Sequence, residues 1–235
     1  MAIDVPANET LVQSAFRSIM EYIRQHDLRV GDALPSESEF VRMLGVSRTV
    51  VREAIGALAA LRLVDVGNGR RARVGVLDES VLALTLEHAV RTEQASVQQI
   101  WDVRRALEQR TAALAAMRRT ESEATHIVEF ANSMRKAHGN LAEQTQFDIE
   151  FHIAIAKASR NPTFTLLISS FKLIMEQTCP IGWRSRQTEA ERLQVFDQHE
   201  RIAAAIAAQD PELAKQAMTE HFDLSTRALI NSGFN

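Results

Sequence analysis

Three histidines stand where a surface histidine would not. His199 lies in the stripe Val195, Phe196, Ile202, Ala203 and Ile206, and His221 in the stripe Ala217, Met218, Leu224 and Ala228. Each imidazole therefore shares the apolar, inward face of a helix. Asp148 and His152, spaced i and i+4, stand on one face of a third helix beside Ile155. A buried imidazole needs a partner, and three of them with one carboxylate, on three inward faces, fit a divalent metal ion. Zinc is the first expectation, with nickel or manganese as alternatives. The only cysteine is Cys179, so an internal disulfide and a Cys-based zinc cluster are both excluded, which fits a reducing compartment. The competing reading is three core histidines, each satisfied by its own hydrogen bond. It is the better account of any one of them and the poorer account of all three together. His26, His88, His126 and His138 lie in no such stripe and read as peripheral.

A second constellation is built of arginines. The segment Val46-Ser47-Arg48-Thr49-Val50-Val51-Arg52-Glu53 opens a helix with Arg48 and Arg52 four apart on one face. Each can offer a two-pronged donor to guanine O6 and N7 if that helix enters a major groove. Ser47 and Thr49 are short donors suited to phosphates. Val50, Val51, Ala54, Ile55 and Leu58 supply apolar contacts, some of which must hold the helix to its domain. The net charge of -3 looks wrong for a partner of nucleic acid until it is divided along the chain. Between Arg42 and Arg73 there are seven arginines against Glu53 and Asp65, a local excess of +5 on an otherwise mildly acidic chain. Charge alone fits a solvated run equally well.

The elements that must position these residues are marked by caps. An amphipathic helix is expected over residues 9–25, with Leu11, Ala15, Ile19 and Ile23 on one face. Ser36 and Glu39 form a capping box that opens a short helix to Leu44, ended by Gly45, and Ser47 caps the next helix from Arg48 to Leu61. Two helices joined by a tight glycine turn make a helix-turn-helix. The β-rich runs at 63–66 and 71–76 flank Gly67-Asn68-Gly69 and read as a hairpin, which completes a winged helix. Asn68, Gly69, Arg70 and Arg71 at its tip would reach a neighbouring groove or the backbone.

Beyond Gly75 only helix signals remain. Starts fall at Asp78 or Ser80, Ser96, Thr120, Asn140, Asn161, Thr188 and Asp210. The fold class is mainly α: a winged helix-turn-helix over residues 1–76, then an all-helical bundle of about seven helices over 77–235, interrupted only around Cys179 to Gln187. At 235 residues with 46% hydrophobic content, the chain can bury two modest cores. No apolar run is long enough to span a bilayer and the first residues lack a signal-peptide pattern, so no membrane partner and a cytoplasmic location are expected.

At the arginine segment the chain resembles a known family. Gly31-Asp32-x-Leu34-Pro35-Ser36-Glu37, then Leu44-Gly45-Val46-Ser47-Arg48-Thr49-x-Val51-Arg52-Glu53-Ala54-Ile55 and Leu58-x-x-Leu61, resembles the DNA-binding domain of GntR-family transcription regulators. The resemblance implies base contacts from Arg48 and Arg52 and further DNA contacts from Ser47, Thr49 and Gly69. Many members carry a basic residue after the Pro-Ser-Glu segment, where this chain has Ser38. We therefore place Ser36 at the interface and assign Arg42 as a replacement for the missing cation. One short recognition helix covers too few base pairs, so a homodimer on a double-stranded operator with two-fold symmetry is expected.

The second half resembles the FCD domain of the FadR-type branch, through Val103-Arg104-Arg105-x-Leu107-Glu108, Phe147-Asp148-x-x-Phe151-His152, Gln198-His199 and His221-Phe222. That resemblance implies Asp148, His152, His199 and His221 as metal ligands. It implies a small carboxylate effector such as a hydroxy acid or a sugar acid. Members that bind fatty acyl thioesters lack the metal set, so that ligand is disfavoured. Repression relieved by ligand is the commoner arrangement in this group. Four protein ligands leave room on the ion for a carboxylate and its adjacent hydroxyl. Arg104, whose fork suits a carboxylate, is expected to pair with the acid and to be removable without loss of fold or metal. Asn161, Trp183 and Arg227 are further effector-contact candidates, each with an ordinary structural reading beside it. An enzyme is the rival class, since an open metal position could activate water. No further acid or base is evident around the four ligands, and the paired Glu-x-x-His motif of di-iron bundles is absent. In a third reading, the metal itself is the signal.

Overall fold

A computed structural model describes residues 9–67 and 70–231. Asn68 and Gly69, expected at the hairpin tip, lie outside the described residues. Backbone contacts divide the chain between Val81 and Leu82 into two compact units.

The first unit starts with α1 (Leu11–Gln25), opened by a capping box between Thr10 and Gln13. Then α2 (Glu37–Leu44) and α3 (Arg48–Ala60) follow with Ser36 and Ser47 as N-caps. Gly45 takes φ 69° between them, a left-handed conformation that a side chain would strain. The hairpin pairs β1 (Val64–Asp65) antiparallel with β2 (Arg73–Val74), in register Val64 with Val74 and Asp65 with Arg73. These strands are shorter than the β-rich runs suggest. Arg73 also bridges to Ala33, so the wing is tied to the segment before α2. A side chain at Gly75 would run into the Arg62 carbonyl, so the strand leaves the sheet at a residue without one. Phe40, Ile19, Leu34, Val51, Leu58 and Val64 form the core under these elements.

The second unit is all helical: α4 (Ser80–Arg91), which begins just before the division, α5 (Val97–Arg118), α6 (Glu121–Lys136), α7 (Leu141–Ala158), α8 (Pro162–Ser170), α9 (Lys172–Ser185), α10 (Glu189–Ala207) and α11 (Pro211–Asn231). Among the described residues eight helices stand where seven starts are marked. The extra one arises because the run from Pro162 breaks at Phe171 and resumes as α9, which continues through Pro180. The stretch expected to be irregular, Cys179 to Gln187, is therefore helical as far as Ser185. A proline there lacks the N–H that would bond to the Glu176 carbonyl. Packing of α9 against α7 and α11 compensates, with Ile174, Met175, Thr178 and Gly182 buried. In the middle of the unit α5 packs on α7, α10 and α11, and α6 on α7 and α10, around a core that includes Trp101, Phe151, Phe196, Ile202 and Phe222. Among the described residues no helix is long and apolar enough to cross a membrane.

Candidate metal centre and nucleic-acid interface

In the first unit α3 displays two faces. Val51, Ala54, Ile55 and Leu58 are buried in the core, and Arg48, Thr49, Arg52 and Glu53 are exposed. The apolar residues of this helix thus serve the domain, and the polar ones are free for a partner. Ser47 accepts from the Val50 N–H at 3.3 Å as the cap, which places its hydroxyl at the helix N-terminus. Arg48 Nε donates to Glu37 at 3.0 Å on α2. At 71% side-chain exposure this pair is a weak one that a phosphate or a base edge can displace. Ser36 is engaged with Glu39 in its capping box, Arg42 is exposed in the last turn of α2, and Arg70 and Arg71 are exposed on the wing. Ser36, Arg48, Arg70 and Arg71 line one surface cleft of about 400 Å³ between the start of α2, α3 and the wing. Three of the seven arginines of that local excess thus meet at one cleft, which Glu37 also lines.

In the second unit the three histidines meet. His152 comes from α7, His199 from α10 and His221 from α11, and one nitrogen of each lies within 4.8 Å of the others. All three are buried. Two of the rings are held from behind. His199 Nδ1 lies 2.7 Å from the Val195 carbonyl, one turn back on its own helix, and its Nε2 faces inward onto Asp148. His152 Nδ1 is in ion-pair contact with Glu108, and its Nε2 is buried without a hydrogen-bond partner. Asp148 Oδ1 is 2.9 Å from His199 Nε2 and 3.9 Å from His152 Nε2, so the carboxylate completes a cluster of four donors. Burial pushes the Asp148 carboxyl up, but the His199 hydrogen bond and the field of the three imidazoles outweigh it and hold the group well below the usual carboxylate range. Burial, together with repulsion from His199 and His152, holds His221 neutral. A neutral His221, an ionised carboxylate and the orphaned inward nitrogen of His152 suit a divalent ion. The set fits the metal.

Glu108 was not legible as part of this site. It lies fully buried on α5, accepts a hydrogen bond from Arg104 Nε at 2.9 Å on the oxygen that Arg104 Nη2 also approaches at 2.9 Å, and touches His152 from behind. An acid does therefore stand beside the ligands, contrary to the expectation that none would. It orients a ligand, as carboxylates behind metal-bound histidines do. Burial works against the Glu108 charge, and Arg104 and His152 overcome it, so its carboxyl stays below the ordinary value. Arg104 is thus not a spare cation. Only 2% of its side chain is exposed, its charge is met by Glu108, and its guanidinium lies 4.8 Å from the Trp101 ring and 5.2 Å from that of Phe222.

Cys179 was read only for what it excludes, yet its thiol donates to Asp148 Oδ2 at 3.3 Å. Burial and the neighbouring Asp148 charge push that thiol well up, so it stays protonated. Beside the cluster is an inner chamber of about 60 Å³ lined by Arg104, Gln144, Asp148, His152, Trp183 and His221, among others. An outer one of about 210 Å³ includes Arg186, Gln198, Ser225 and Arg227 in its wall. Trp183 and Arg227 therefore reach the chambers. Asn161 does not: its side chain caps α8, accepting from the Thr163 N–H at 3.0 Å. Both amide atoms of Gln144 and the indole Nε1 of Trp101 are buried in the inner wall without a partner.

An exposed recognition helix beside a wing, joined in one chain to a helical domain with a liganding cluster and a chamber, defines a DNA-binding regulator with a sensing domain. The comparisons agree. The chain matches the family model described as "Bacterial regulatory proteins, gntR family" over residues 11–74 and the model of the FCD domain over residues 99–224. It is 34% identical over 205 residues to the HTH-type transcriptional regulator LutR of Bacillus subtilis (strain 168), covering 85% of this chain and 92% of that one. It is 29% identical to the Glc operon transcriptional activator of Escherichia coli (strain K12), over 92% of this chain and 86% of that one. Among solved structures, a Streptococcus agalactiae GntR protein shares the fold with a TM-score of 0.62 at 22% identity, covering 92% of this chain and 99% of that one. The chain belongs to the GntR family of transcription regulators, in the branch that carries an FCD domain. It is a DNA-binding regulator and not an enzyme.

Proposed function

We propose that this regulator is a cytoplasmic repressor, bound as a homodimer to a two-fold related operator and released by a small hydroxy acid or sugar acid. Residues 1–76 read the DNA through Arg48 and Arg52, with Ser36, Arg42, Ser47, Thr49, Asn68, Gly69 and Arg70 contributing around them. Residues 77–235 sense the acid. Asp148, His152, His199 and His221 hold a divalent ion, zinc first and nickel or manganese as alternatives. The ion would supply a Lewis-acidic seat for the acid's carboxylate and neighbouring hydroxyl. Gln144 and Trp183 line the space the acid would occupy, and Arg227 lies further out.

The observation that carries this reading is the convergence of three buried imidazoles, two of them anchored from behind, and an ionised Asp148 on a chamber whose wall holds the unpartnered amide of Gln144. A buried amide without partners costs stability unless a ligand satisfies it. That also weighs against the metal alone as the signal, since an ion would leave Gln144 unsatisfied. Operator binding by the purified protein, titrated with metal and then with lactate, glycolate or gluconate, separates the two. The proposal expects metal to have little effect and an acid to weaken DNA binding only when metal is present. Full response to metal without acid would favour the metal sensor. An acid that tightens DNA binding would reverse the sign and make the chain an activator of the kind one relative is named for. Sedimentation of the protein free and on operator DNA checks the dimer, and a monomer in both states refutes it.

A further inference from the structure

Arg186 closes α9 at the place where the two chambers meet, and it lines both of them together with Val195, His221 and Ser225. Its Nη1 donates to the Gly182 carbonyl at 2.5 Å, and among the described residues it forms no ion pair. Glu191, the carboxylate in the outer wall, is committed elsewhere: its Oε2 accepts from the backbone N–H groups of Gln187 at 2.7 Å and Thr188 at 3.1 Å. Burial works against the charge of Arg186, and the carboxylates of Asp148 and Glu191 only partly offset this. The other charges of the inner chamber are already matched. Arg104 is neutralised by Glu108, and Asp148 is engaged by His199. A half-buried guanidinium with unspent donors at the junction of two cavities is a receptor for a second anion. Behind it in the outer wall, the buried Gln198 Oε1 also lacks a partner, so polar groups there await a ligand as Gln144 does further in.

We infer that the effector is a dicarboxylate, whose hydroxy-acid end occupies the inner chamber at the Asp148 and histidine cluster and whose second carboxylate is held by Arg186. This rests on the metal-seated acid of the proposed function and narrows it to acids with two carboxylates. A monocarboxylate fills the inner end and leaves Arg186 without its counter-charge. Binding of both kinds should therefore occur, with a preference set by this one residue.

Malate and lactate make the cleanest pair of probes, because malate is lactate with a second carboxylate on its methyl carbon. Calorimetric titration of the metal-loaded protein should show malate binding at least about tenfold tighter than lactate, the range of one charge-assisted hydrogen bond in a desolvated site. Arg186→Gln should reduce malate to the affinity of lactate while leaving lactate unchanged. Arg186→Lys, which keeps the charge and loses the fork, should retain part of the preference. If the Gln variant does not fold, the wild-type ratio and the Lys variant still decide. Equal affinities in the wild type, or a malate preference that survives Arg186→Gln, overturn the inference and leave a metal-seated monocarboxylate standing. Binding of neither acid, or binding indifferent to chelator, defeats the proposed function itself.

Discussion

At the scale of single residues, the site depends on Glu108 as much as on the ligands. It fixes the direction in which His152 presents Nε2, and it neutralises Arg104 in a place without water. Removing one partner of such a pair leaves a buried charge, which costs about 3–5 kcal/mol. Arg104→Ala should thus lower the melting temperature sharply and loosen His152, where the sequence suggested a variant intact in fold and metal. Thermal unfolding with and without added metal checks this, and a variant as stable as wild type refutes it. Acid acts on the same cluster. His221 takes up a proton less readily in the folded protein than in the unfolded chain, so below about pH 6.5 the unfolded state binds more protons and stability falls with pH. Asp148, with its carboxyl held down, adds to that loss at still lower pH. Melting curves of the chelated protein from pH 8 down to 5 should show the decline begin near the ordinary histidine value. The His199 and His221 stripes made the histidine cluster legible, whereas Arg104 and Glu108 look like an ordinary i, i+4 surface pair. The missed signal is positional: they continue the inward row Val97, Trp101, Thr111 and Ala115 of α5, all of them buried.

At the scale of elements, helix starts were legible and one helix break was not. The capping boxes at Ser36, Ser96, Thr120 and Thr188 are local chemistry, written within four residues, and each forms as the spacing indicates, while a box at Thr10 starts α1 two residues later than expected. The break at Phe171 has no capping side chain, and the buried Phe171 ring holds it in the core instead. Pro180 points the other way in the sequence, because its intrinsic penalty takes no account of the helices that pack around α9. Replacing it by Ala restores a backbone donor for Glu176 and removes a clash. Pro180→Ala should therefore stabilise the protein, by up to about 3 kcal/mol, provided α9 keeps its place. Chemical denaturation measures this. A loss of stability would mean that the proline shapes the end of α9, and with it the position of Arg186.

At the scale of the whole molecule, the chain joins a reader to a sensor, and only a ligand that discriminates between two states of the regulator can connect them. On the reading side, Arg48→Ala and Arg52→Ala should each weaken specific operator binding by roughly 1–3 kcal/mol while the fold persists, since both side chains are exposed and leave the core untouched. Gel-shift titrations against operator and unrelated DNA test this, and unchanged affinity in both variants would displace the recognition helix from α3. On the sensing side, the central claim is that the acid acts through the metal cluster. His199→Ala tests it most directly, by metal analysis together with operator binding measured with and without a hydroxy acid. The account predicts that the variant loses its metal, still binds the operator and no longer responds to the acid. A metal-free His199→Ala protein that releases DNA at the same acid concentration as wild type would contradict it.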